Sequence, residues 1–406
     1  MNKKMRTALL ALTLVVALVA AACASDSDSG SGGSSGGGGG GESSPGVTED
    51  EILFGMATPT SGNASSLGID GQKGAEVFVK WINDQGGTNG RDWKLTVQDD
   101  GFDLQKKVTA VQYLIQQDEV FALWGDVGST AVAALPVVEQ EGIPYLFPYA
   151  LAQQMVGSEN VFLSMPMSDT QEKALSDHLA ETLDGEPKFG LLTLNSADGQ
   201  DAVKGFKEGA AGDWVVSEQQ YERTATSWEP QLVAMKSAGV TDIVIHGSDV
   251  WTAKIMTEAR KLGMDVQFYG SSGSVTPQTI SLAGDGVAEG AQAVAVFAPA
   301  TSVDIPGIKE FREAFEKYEP GYEPGAFALS SWVGGLIIAG ALENVEGDPT
   351  REKLVEAIQG LNDFETGGIT ADQTFSADRN VGSDKVMVVE VKDGEWVPVT
   401  DWIGGS

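Results

Sequence analysis

The chain has 406 residues but only one cysteine, Cys23, and two histidines, His178 and His246. A single cysteine cannot form a disulfide within the chain, and it cannot build a cysteine-based metal cluster. The sequence also lacks a His-Glu-x-x-His motif and a P-loop. It has no Gly-x-Ser-x-Gly motif between a predicted strand and a helix, which is where such a motif presents a nucleophilic serine. We therefore expect a protein that is not an enzyme and that needs no cofactor and no metal.

Carboxylates leave one enzyme class open. Asp99 and Asp100, or Asp126, could in principle supply the pair of acids that a secreted glycoside hydrolase uses. In so acidic a chain we interpret them instead as solvated carboxylates of turns. We place His178 on the apolar stripe of a helix, at the core or its boundary, and His246 at a strand end close to a ligand site.

Basic residues are scarce. The chain has 26 lysines and arginines and 58 aspartates and glutamates, which gives a formal net charge of -32. A surface this negative repels phosphate backbones and anionic lipid headgroups. Nucleic acid is therefore excluded as a partner, and so is electrostatic docking to a membrane. The acidity says nothing about the fold, because it also suits solubility outside the cell.

The N-terminus carries an apolar run that is too short to span a membrane. Residues 8–22 are largely apolar and follow Lys3, Lys4 and Arg6. These 15 residues fall short of the roughly 20 that cross a bilayer, so we predict a signal peptide at 1–22. The alanines before Cys23 resemble a bacterial lipobox, although Ala20 stands where leucine is common. The resemblance implies that Cys23 becomes the lipidated first residue.

A segment rich in glycine and serine follows the cysteine. Residues 24–46 have almost no apolar surface to bury, so we predict a flexible tether over 23–47. A lipid at one end and a folded body at the other imply an exported lipoprotein. We expect it to be anchored at the outer face of the cytoplasmic membrane, with no membrane-spanning helix in its mature form.

About 360 residues remain after the tether, which is enough for two domains. Apolar strands are each followed by a turn and a helix-period stretch, at 52–54, 121–124, 191–194 and 243–245. Ala75, Phe78 and Ile82 show the spacing of a helix with one buried stripe. The alternation predicts an α/β fold in which two lobes each hold a parallel sheet covered by helices on both faces.

The C-terminal third departs from this alternation. Residues 305–360 are predicted to be mainly helical. After them, strands at 385–391 and 395–399 flank the sequence Lys392-Asp393-Gly394. An Asp-Gly pair between two alternating segments is typical of a tight β-hairpin.

Turns rich in glycine, serine and threonine follow several predicted strands, at 60–63, 125–130 and 270–274. Ligands of parallel sheets bind beyond the carboxyl ends of the strands, where glycine permits a close approach and hydroxyls and helix N-termini hold oxyanions. One such turn alone is more simply a helix cap. Three turns in corresponding places predict a ligand site.

The string Asn-x-x-Gly-Gly-x-Asn-Gly at 83–90, with Asp70-Gly-Gln-Lys-Gly74 before it, resembles the type I periplasmic binding proteins. More narrowly, the chain resembles the leucine/isoleucine/valine-binding receptors of ABC transporters from about Thr48 to the C-terminus. The resemblance implies two doubly wound lobes joined by a hinge of three crossings, near residues 166, 298 and 368. Lobe 1 would comprise 48–166 and 298–368, and lobe 2 would comprise 167–297 and 369–406.

The resemblance also implies partners and a mechanism. A small-molecule ligand would bind in the cleft, the lobes would close over it, and an ABC permease in the membrane would recognise the closed form. We expect a monomer. A ligand sensor for a membrane signalling partner remains an alternative, because the sequence does not separate sensing from transport.

The resemblance assigns the ligand-binding positions of the family to this sequence. Some residues at these positions match the family and others do not. Ser129 matches a serine that holds the ligand carboxylate, whereas Leu151 stands where a threonine is common. The aromatic residues usual at Asp198 and near Ser248 are absent. The expected ligand-binding residues are Ser61, Gly62, Asn63, Asp126, Ser129, Thr130, Tyr149, Ala150, Leu151, Asp198, Ser248, Asp249 and Ser272.

Ser272 is the largest departure, because amino-acid-binding members place an acid there to pair the ligand ammonium. Burial of an ammonium without an anion costs several kcal/mol. Either Asp249 or Asp198 replaces that charge, or the ligand has no ammonium. We expect a small polar organic ligand, an amino acid, a carboxylate or an amide, and weak or no binding of branched-chain amino acids.

Overall fold

The structure, a computed structural model, describes residues 44–62, 64–128, 130–185 and 187–405. The predicted signal peptide, Cys23 and most of the predicted tether lie outside the described residues, as do Asn63 and Ser129. The body from residue 44 onward contains two β-sheets, each flanked by helices. The predicted α/β fold with parallel sheets is confirmed.

Lobe 1 is built on five parallel strands in the order β2-β1-β3-β4-β5. The central strand β3 is buried along its whole length, as expected of a parallel strand covered on both faces. The strands are β1 Glu51–Thr58, β2 Asp92–Asp99, β3 Ala122–Trp124, β4 Tyr145–Leu146 and β5 Val161–Phe162. The helices of this lobe are α1 Ser65–Asp84, α2 Leu104–Gln116, α3 Leu135–Glu141, α9 Pro306–Tyr318, α10 Ala326–Glu343 and α11 Arg351–Gln359.

Lobe 2 has the strand order β12-β11-β10-β9-β8-β6-β7, and β13 pairs with β11. The strands β6 to β10 are parallel, whereas β11 and β12 form the antiparallel edge. The strands are β6 Phe189–Leu194, β7 Val215–Tyr221, β8 Asp242–His246, β9 Gln267–Gly270, β10 Gln292–Ala295, β11 Lys385–Lys392, β12 Glu395–Pro398 and β13 Ile403–Gly404. The helices are α4 Ser168–Thr182, α5 Ala197–Glu208, α6 Glu229–Ala238, α7 Asp249–Lys261 and α8 Pro277–Ala283.

The predicted hairpin at the C-terminus is confirmed as β11 and β12. Lys392 pairs with Glu395 across the turn. The two residues of the turn, Asp393 and Gly394, have φ values of 54° and 80°. A two-residue hairpin turn of this type needs positive φ at both positions, which explains the Asp-Gly pair.

The third crossing between the lobes lies later in the chain than the predicted position near residue 368. The amide of Leu163 donates to the carbonyl of Asn380 at 2.8 Å, and the amide of Gly382 donates to the carbonyl of Leu163 at 2.8 Å. The ring of Phe375 packs 5.9 Å from the ring of Phe147 in lobe 1. Residues 369–382 therefore belong to lobe 1, and the chain crosses just before β11.

Helix α10 has the length and composition of a membrane span, with a mean hydropathy of 1.5, but 72% of it is buried inside the body. It packs along α1, where a Cβ on Gly74 would lie 2.2 Å from the carbonyl oxygen of Ala328. Asp70 holds the N-terminus of α10, because its carboxylate accepts from the amides of Gly325 and Ala328, both at 2.9 Å. The segment 70–74 thus secures a core helix of lobe 1.

The second family string, at 83–90, forms a corner between α1 and β2. The side chain of Asn83 accepts from the amide of Trp93 at 2.7 Å and donates to its carbonyl at 2.9 Å. The amide side chain of Asn89 donates to the carbonyl of Leu342 at 2.8 Å. The motif that carried the resemblance therefore positions α1, β2 and α10, and it contributes to the framework of lobe 1.

Candidate functional site

The turns after the strands of both lobes meet in an interlobe cleft. The guanidinium of Arg223 lies 5.1 Å from the ring centre of Phe102, and so joins a turn of lobe 2 to a turn of lobe 1. The Gln153 side chain donates to the Asp169 carboxylate at 2.8 Å near the first crossing. These two contacts join the lobes at either side of the cleft.

The turn at 60–62 is held by Asp99. One carboxylate oxygen of Asp99 accepts from the amides of Thr60 at 2.8 Å, Ser61 at 3.1 Å and Gly101 at 2.9 Å, and the other accepts from the Ser61 hydroxyl at 2.5 Å. Partial burial opposes ionisation, but these hydrogen bonds lower the pKa of Asp99 to about 2. The Ser61 hydroxyl is thus engaged inside its own lobe, and Asp99 is the exposed turn carboxylate that we expected.

Asp100 and Asp126 are not solvated turn carboxylates, and that expectation is wrong for both. The ammonium of Lys107, which is completely buried, lies between them, 2.6 Å from Asp126 and in contact with Asp100. The second carboxylate oxygen of Asp126 accepts from the Tyr145 hydroxyl. Burial raises the pKa of Asp126 to about 6, although Lys107 opposes the rise. The cluster supports the turn at 125–130 from inside lobe 1.

The same turn places Thr130 in a buried position. Its side chain is 3% exposed, and its hydroxyl has no hydrogen-bond partner among the described residues. The backbone of the turn is paired with the next strand end, because the amide of Tyr149 donates to the carbonyl of Asp126 at 3.0 Å. Thr130 is the one hydroxyl of this turn that the described contacts leave without a partner.

Tyr149 brings lobe 1 against lobe 2. Its ring lies 4.7 Å from the ring of Phe327 and 6.4 Å from the ring of Phe297. Burial raises the pKa of the Tyr149 phenol to about 12. The negative charge of Asp249 adds to this rise, whereas a weak contact with the Ser272 hydroxyl opposes it. The structure therefore places Tyr149 of lobe 1 beside Ser272 of lobe 2, with Asp249 near enough for its charge to act on the phenol.

The neighbours of Tyr149 offer few donors to a ligand. The amide of Ala150 donates to the carbonyl of Pro148 at 2.9 Å, and the amide of Tyr149 is used by Asp126. Leu151 is partly buried and has no polar group on its side chain. A ligand carboxylate therefore finds at this turn neither a hydroxyl at Leu151 nor the two preceding amides.

In lobe 2, the side chains of Asp249 and Ser272 have oxygen atoms that can still accept or donate hydrogen bonds. Asp249 accepts from the amide of Val250 at 2.7 Å and, at the long distance of 3.3 Å, from the hydroxyl of Thr276. Burial raises its pKa. Ser272 is 4% exposed, and its hydroxyl makes no hydrogen bond of normal geometry. Ser248 precedes Asp249 as the N-cap of α7, without a side-chain cap bond.

Asp198 has a different environment, beside His246. The two imidazole nitrogens of His246 face carboxylates, Nδ1 at 3.4 Å from Glu172 and Nε2 at 3.5 Å from Asp198. Burial would lower the pKa of His246, but the two carboxylates raise it to about 9. Burial opposes the ionisation of Asp198 as well, yet His246 lowers its pKa to about 2. The charge of Asp198 is therefore neutralised inside lobe 2.

Glu172 is the residue of this cluster that sequence reasoning missed. It lies in α4, one turn before Leu175 on the buried face, and burial raises its pKa. The sequence did contain a signal for it. A carboxylate on the apolar stripe of a predicted helix indicates a buried acid, and a buried acid needs a partner. His178, by contrast, is half-buried at the edge of α4, which confirms the expected boundary position.

A model of the periplasmic binding protein family matches residues 51–395 of the chain. The chain belongs to this family. It is 28% identical over 373 residues to Leu/Ile/Val-binding protein homolog 7 of Brucella abortus (strain 2308), which covers 86% of this chain and 91% of the relative. The predicted resemblance is confirmed at the level of the family, and relatives that the chain matches have names that refer to the binding of leucine, isoleucine and valine.

Solved structures share the fold of this periplasmic binding protein. A branched chain amino acid ABC transporter from Thermus thermophilus with bound valine superposes with a TM-score of 0.79 at 21% identity, over 89% of this chain and 98% of that one. A fatty acid ABC transporter substrate-binding protein from Thermomonospora curvata also reaches a TM-score of 0.79, at 23% identity, over 90% and 95%. At such identities the likeness concerns the fold alone.

Proposed function

We propose that this protein is the extracytoplasmic receptor of an ABC importer, anchored by a lipid on Cys23, which captures a small polar organic molecule by closure of its two lobes. The observation that carries the proposal is that Tyr149 of lobe 1 lies against Phe297 and beside Ser272 of lobe 2 at a buried surface, with the buried carboxylate of Asp249 nearby. A ligand that contacts Tyr149, Ser272 and Asp249 stabilises the closed form, because open lobes cannot offer the three groups together.

The polar groups favour a ligand with hydrogen-bond donors. Asp249 is a buried carboxylate with one short hydrogen bond from an amide and one long one from Thr276. An ammonium, amide or hydroxyl group of the ligand would satisfy its remaining lone pairs. Asp198 is less suited to this role, because His246 already balances its charge. We therefore assign to Asp249 the place of the acid that Ser272 replaces.

The relative from Brucella abortus is named for leucine, isoleucine and valine, which supports an amino acid or a close derivative as one ligand class. The donors that would hold an α-carboxylate are reduced at 149–151, since the amides of Tyr149 and Ala150 bond within the protein. An amide or amine thus fits the cleft better than a free carboxylate does.

A thermal-shift screen of the purified chain against amino acids, amides, amines and organic acids tests the receptor function. A ligand at about 100 times its Kd raises the free energy of unfolding by about 2.7 kcal/mol, which is readily detected as a higher melting temperature. The variant Asp249→Asn should lose most of the shift, whereas Asp285→Asn, at an exposed carboxylate of the same lobe, should retain it. A full shift in Asp249→Asn would contradict the assignment of Asp249, and a screen without any shift would contradict the receptor.

A further inference from the structure

A cavity of about 180 Å³ lies beside the cleft, next to the second crossing between the lobes. Four segments form its walls, at 272–280, 295–301, 324–329 and 394–396. The first belongs to lobe 2, the second is the crossing itself, the third begins helix α10 of lobe 1, and the fourth is the hairpin of β11 and β12. An occupant would therefore contact both lobes and the hinge at once.

The walls of the cavity are mainly apolar. Val275, Ile280 and Leu329 contribute aliphatic groups, and Phe297 and Trp396 contribute rings. The indole N–H of Trp396 donates to the carbonyl of Thr276 at 3.0 Å, so this ring is fixed in the wall. A dry apolar cavity of about 150 Å³ is large enough to bind benzene. The cavity thus accommodates an apolar group of about six to eight heavy atoms.

Thr301 and Glu395 line the cavity at exposed positions, and Ser272 lines it at a buried one. Ser272 is 4% exposed, and its hydroxyl makes no hydrogen bond of normal geometry, only the weak contact with Tyr149. A buried hydroxyl without a good hydrogen bond is unfavourable, and native proteins seldom retain one without a reason. A ligand group that bonds to Ser272 at the edge of the cavity would relieve this cost.

Ser272 and Phe297 also form the boundary between the cavity and the polar part of the cleft. The Ser272 hydroxyl lies beside the phenol of Tyr149, and the Phe297 ring lies 6.4 Å from the Tyr149 ring. A molecule with its polar head at Tyr149 and Asp249 could therefore extend its apolar part past Ser272 into the cavity.

We propose that this cavity is a subsite for the apolar part of an amphipathic ligand, an amide or amine whose alkyl or aryl group has about six to eight carbons. The inference rests on the proposed receptor function and specifies its ligand class. Because Leu329 of lobe 1 and Val275 of lobe 2 both line the subsite, its occupation adds apolar contacts that exist only when the lobes are together.

Calorimetry of the full-length chain in mild detergent with two series of probes, the straight-chain primary amides and the n-alkylamines, tests the subsite. In the natural protein each added methylene should strengthen binding about fourfold until the cavity is full, after which the gain stops. In Ala326→Leu, at a half-buried lining residue, the added side chain should fill the cavity and flatten the series. Ala300→Leu, at a second half-buried lining position, provides an independent variant if the first does not fold.

The matched control is Ala357→Leu, because Ala357 is a half-buried residue of α11 that does not line the cavity, and it should keep the fourfold increments. Equal increments in a folded Ala326→Leu or Ala300→Leu protein, or no dependence on chain length in the natural protein, would overturn the subsite. If no amide or amine binds while the broader thermal-shift screen yields a ligand, the subsite is wrong and the receptor stands. If that screen also yields none, both proposals are wrong.

Discussion

The Nε2 atom of His246 lies 3.5 Å from the carboxylate of Asp198, at the carboxyl end of the lobe 2 sheet. Glu172 approaches the other ring nitrogen from α4 at 3.4 Å. This arrangement of an acid, a histidine and an acid could suggest hydrolytic chemistry. Both ring nitrogens, however, face carboxylates, and no serine or threonine hydroxyl contacts either of them among the described residues. A general base needs a nucleophile within hydrogen-bond reach, whereas the contacts seen here balance the charge of the imidazolium inside lobe 2.

The cluster should make the stability of the protein depend on pH. Burial opposes protonation of His246, but its two carboxylates raise its pKa from the ordinary 6.5 to about 9, so the protonated form stabilises the fold fully below pH 6.5. As pH rises from 6.5 through 9, that contribution is lost, on the order of 3 kcal/mol. We expect urea unfolding to show this decline in the natural protein and a much smaller decline in His246→Gln.

The control for this prediction is His178→Gln, because burial lowers the pKa of His178 and its linkage lies below pH 6.5. Its stability between pH 6.5 and 9 should follow that of the natural protein. Identical pH profiles for His246→Gln and the natural protein would show that the imidazolium does not contribute.

The ion cluster under the turn at 125–130 should be essential for the stability of lobe 1. Lys107→Met keeps the length of the side chain but leaves Asp100 and Asp126 buried without a cation. Loss of one partner of a buried ion pair costs about 3–5 kcal/mol. We expect a decrease of that size in the free energy of unfolding measured with denaturant. The control is the adjacent Lys106, which is exposed, so Lys106→Met should change the free energy of unfolding by less than about 0.5 kcal/mol. Equal effects of the two variants would refute the role of the cluster.

Sequence patterns were sufficient for the parts of the fold that local periodicity determines. The stripe of Ala75, Phe78 and Ile82 predicted α1, and the Asp393-Gly394 pair predicted the hairpin. The position of the third crossing was predicted too early, because it depends on contacts of Asn380 and Gly382 with Leu163, which are more than 200 positions away in the chain. Such long-range hydrogen bonds leave no periodic signal in the sequence.

The sequence pattern located the strand ends that face the cleft, but it did not identify the partners of individual side chains. Tyr149 and Ser272 follow strands β4 and β9 and lie side by side, and their role in ligand binding stays a prediction. The burial of Asp126 did not follow from the pattern, because only the ammonium of Lys107, on a separate helix, makes that position tolerable for a carboxylate. A buried acid and a solvated one look the same in a single sequence.

The lipid anchor can be tested independently of the ligand. Cys23→Ser removes the acceptor of the lipid, and without it the Gly/Ser segment after it offers no apolar surface to a membrane. We expect the exported protein to move from the membrane fraction to the soluble extracytoplasmic fraction. Ser25→Ala, two residues further on, should remain in the membrane fraction, and retention of Cys23→Ser there would argue against lipidation.

Leucine and its amide should distinguish this cleft from one built for amino acids. The α-carboxylate of leucine would meet Leu151 and amides that already bond to Asp126 and Pro148, so we expect a Kd weaker than about 100 μM. Leucinamide keeps the ammonium and the isobutyl group and replaces the carboxylate by an amide. It should bind at least as tightly as leucine, whereas a site built for α-carboxylates would lose affinity strongly because its buried donors would be left without an anion. Calorimetry with both compounds measures the difference, and nanomolar binding of leucine would show that groups other than those at 149–151 hold the carboxylate.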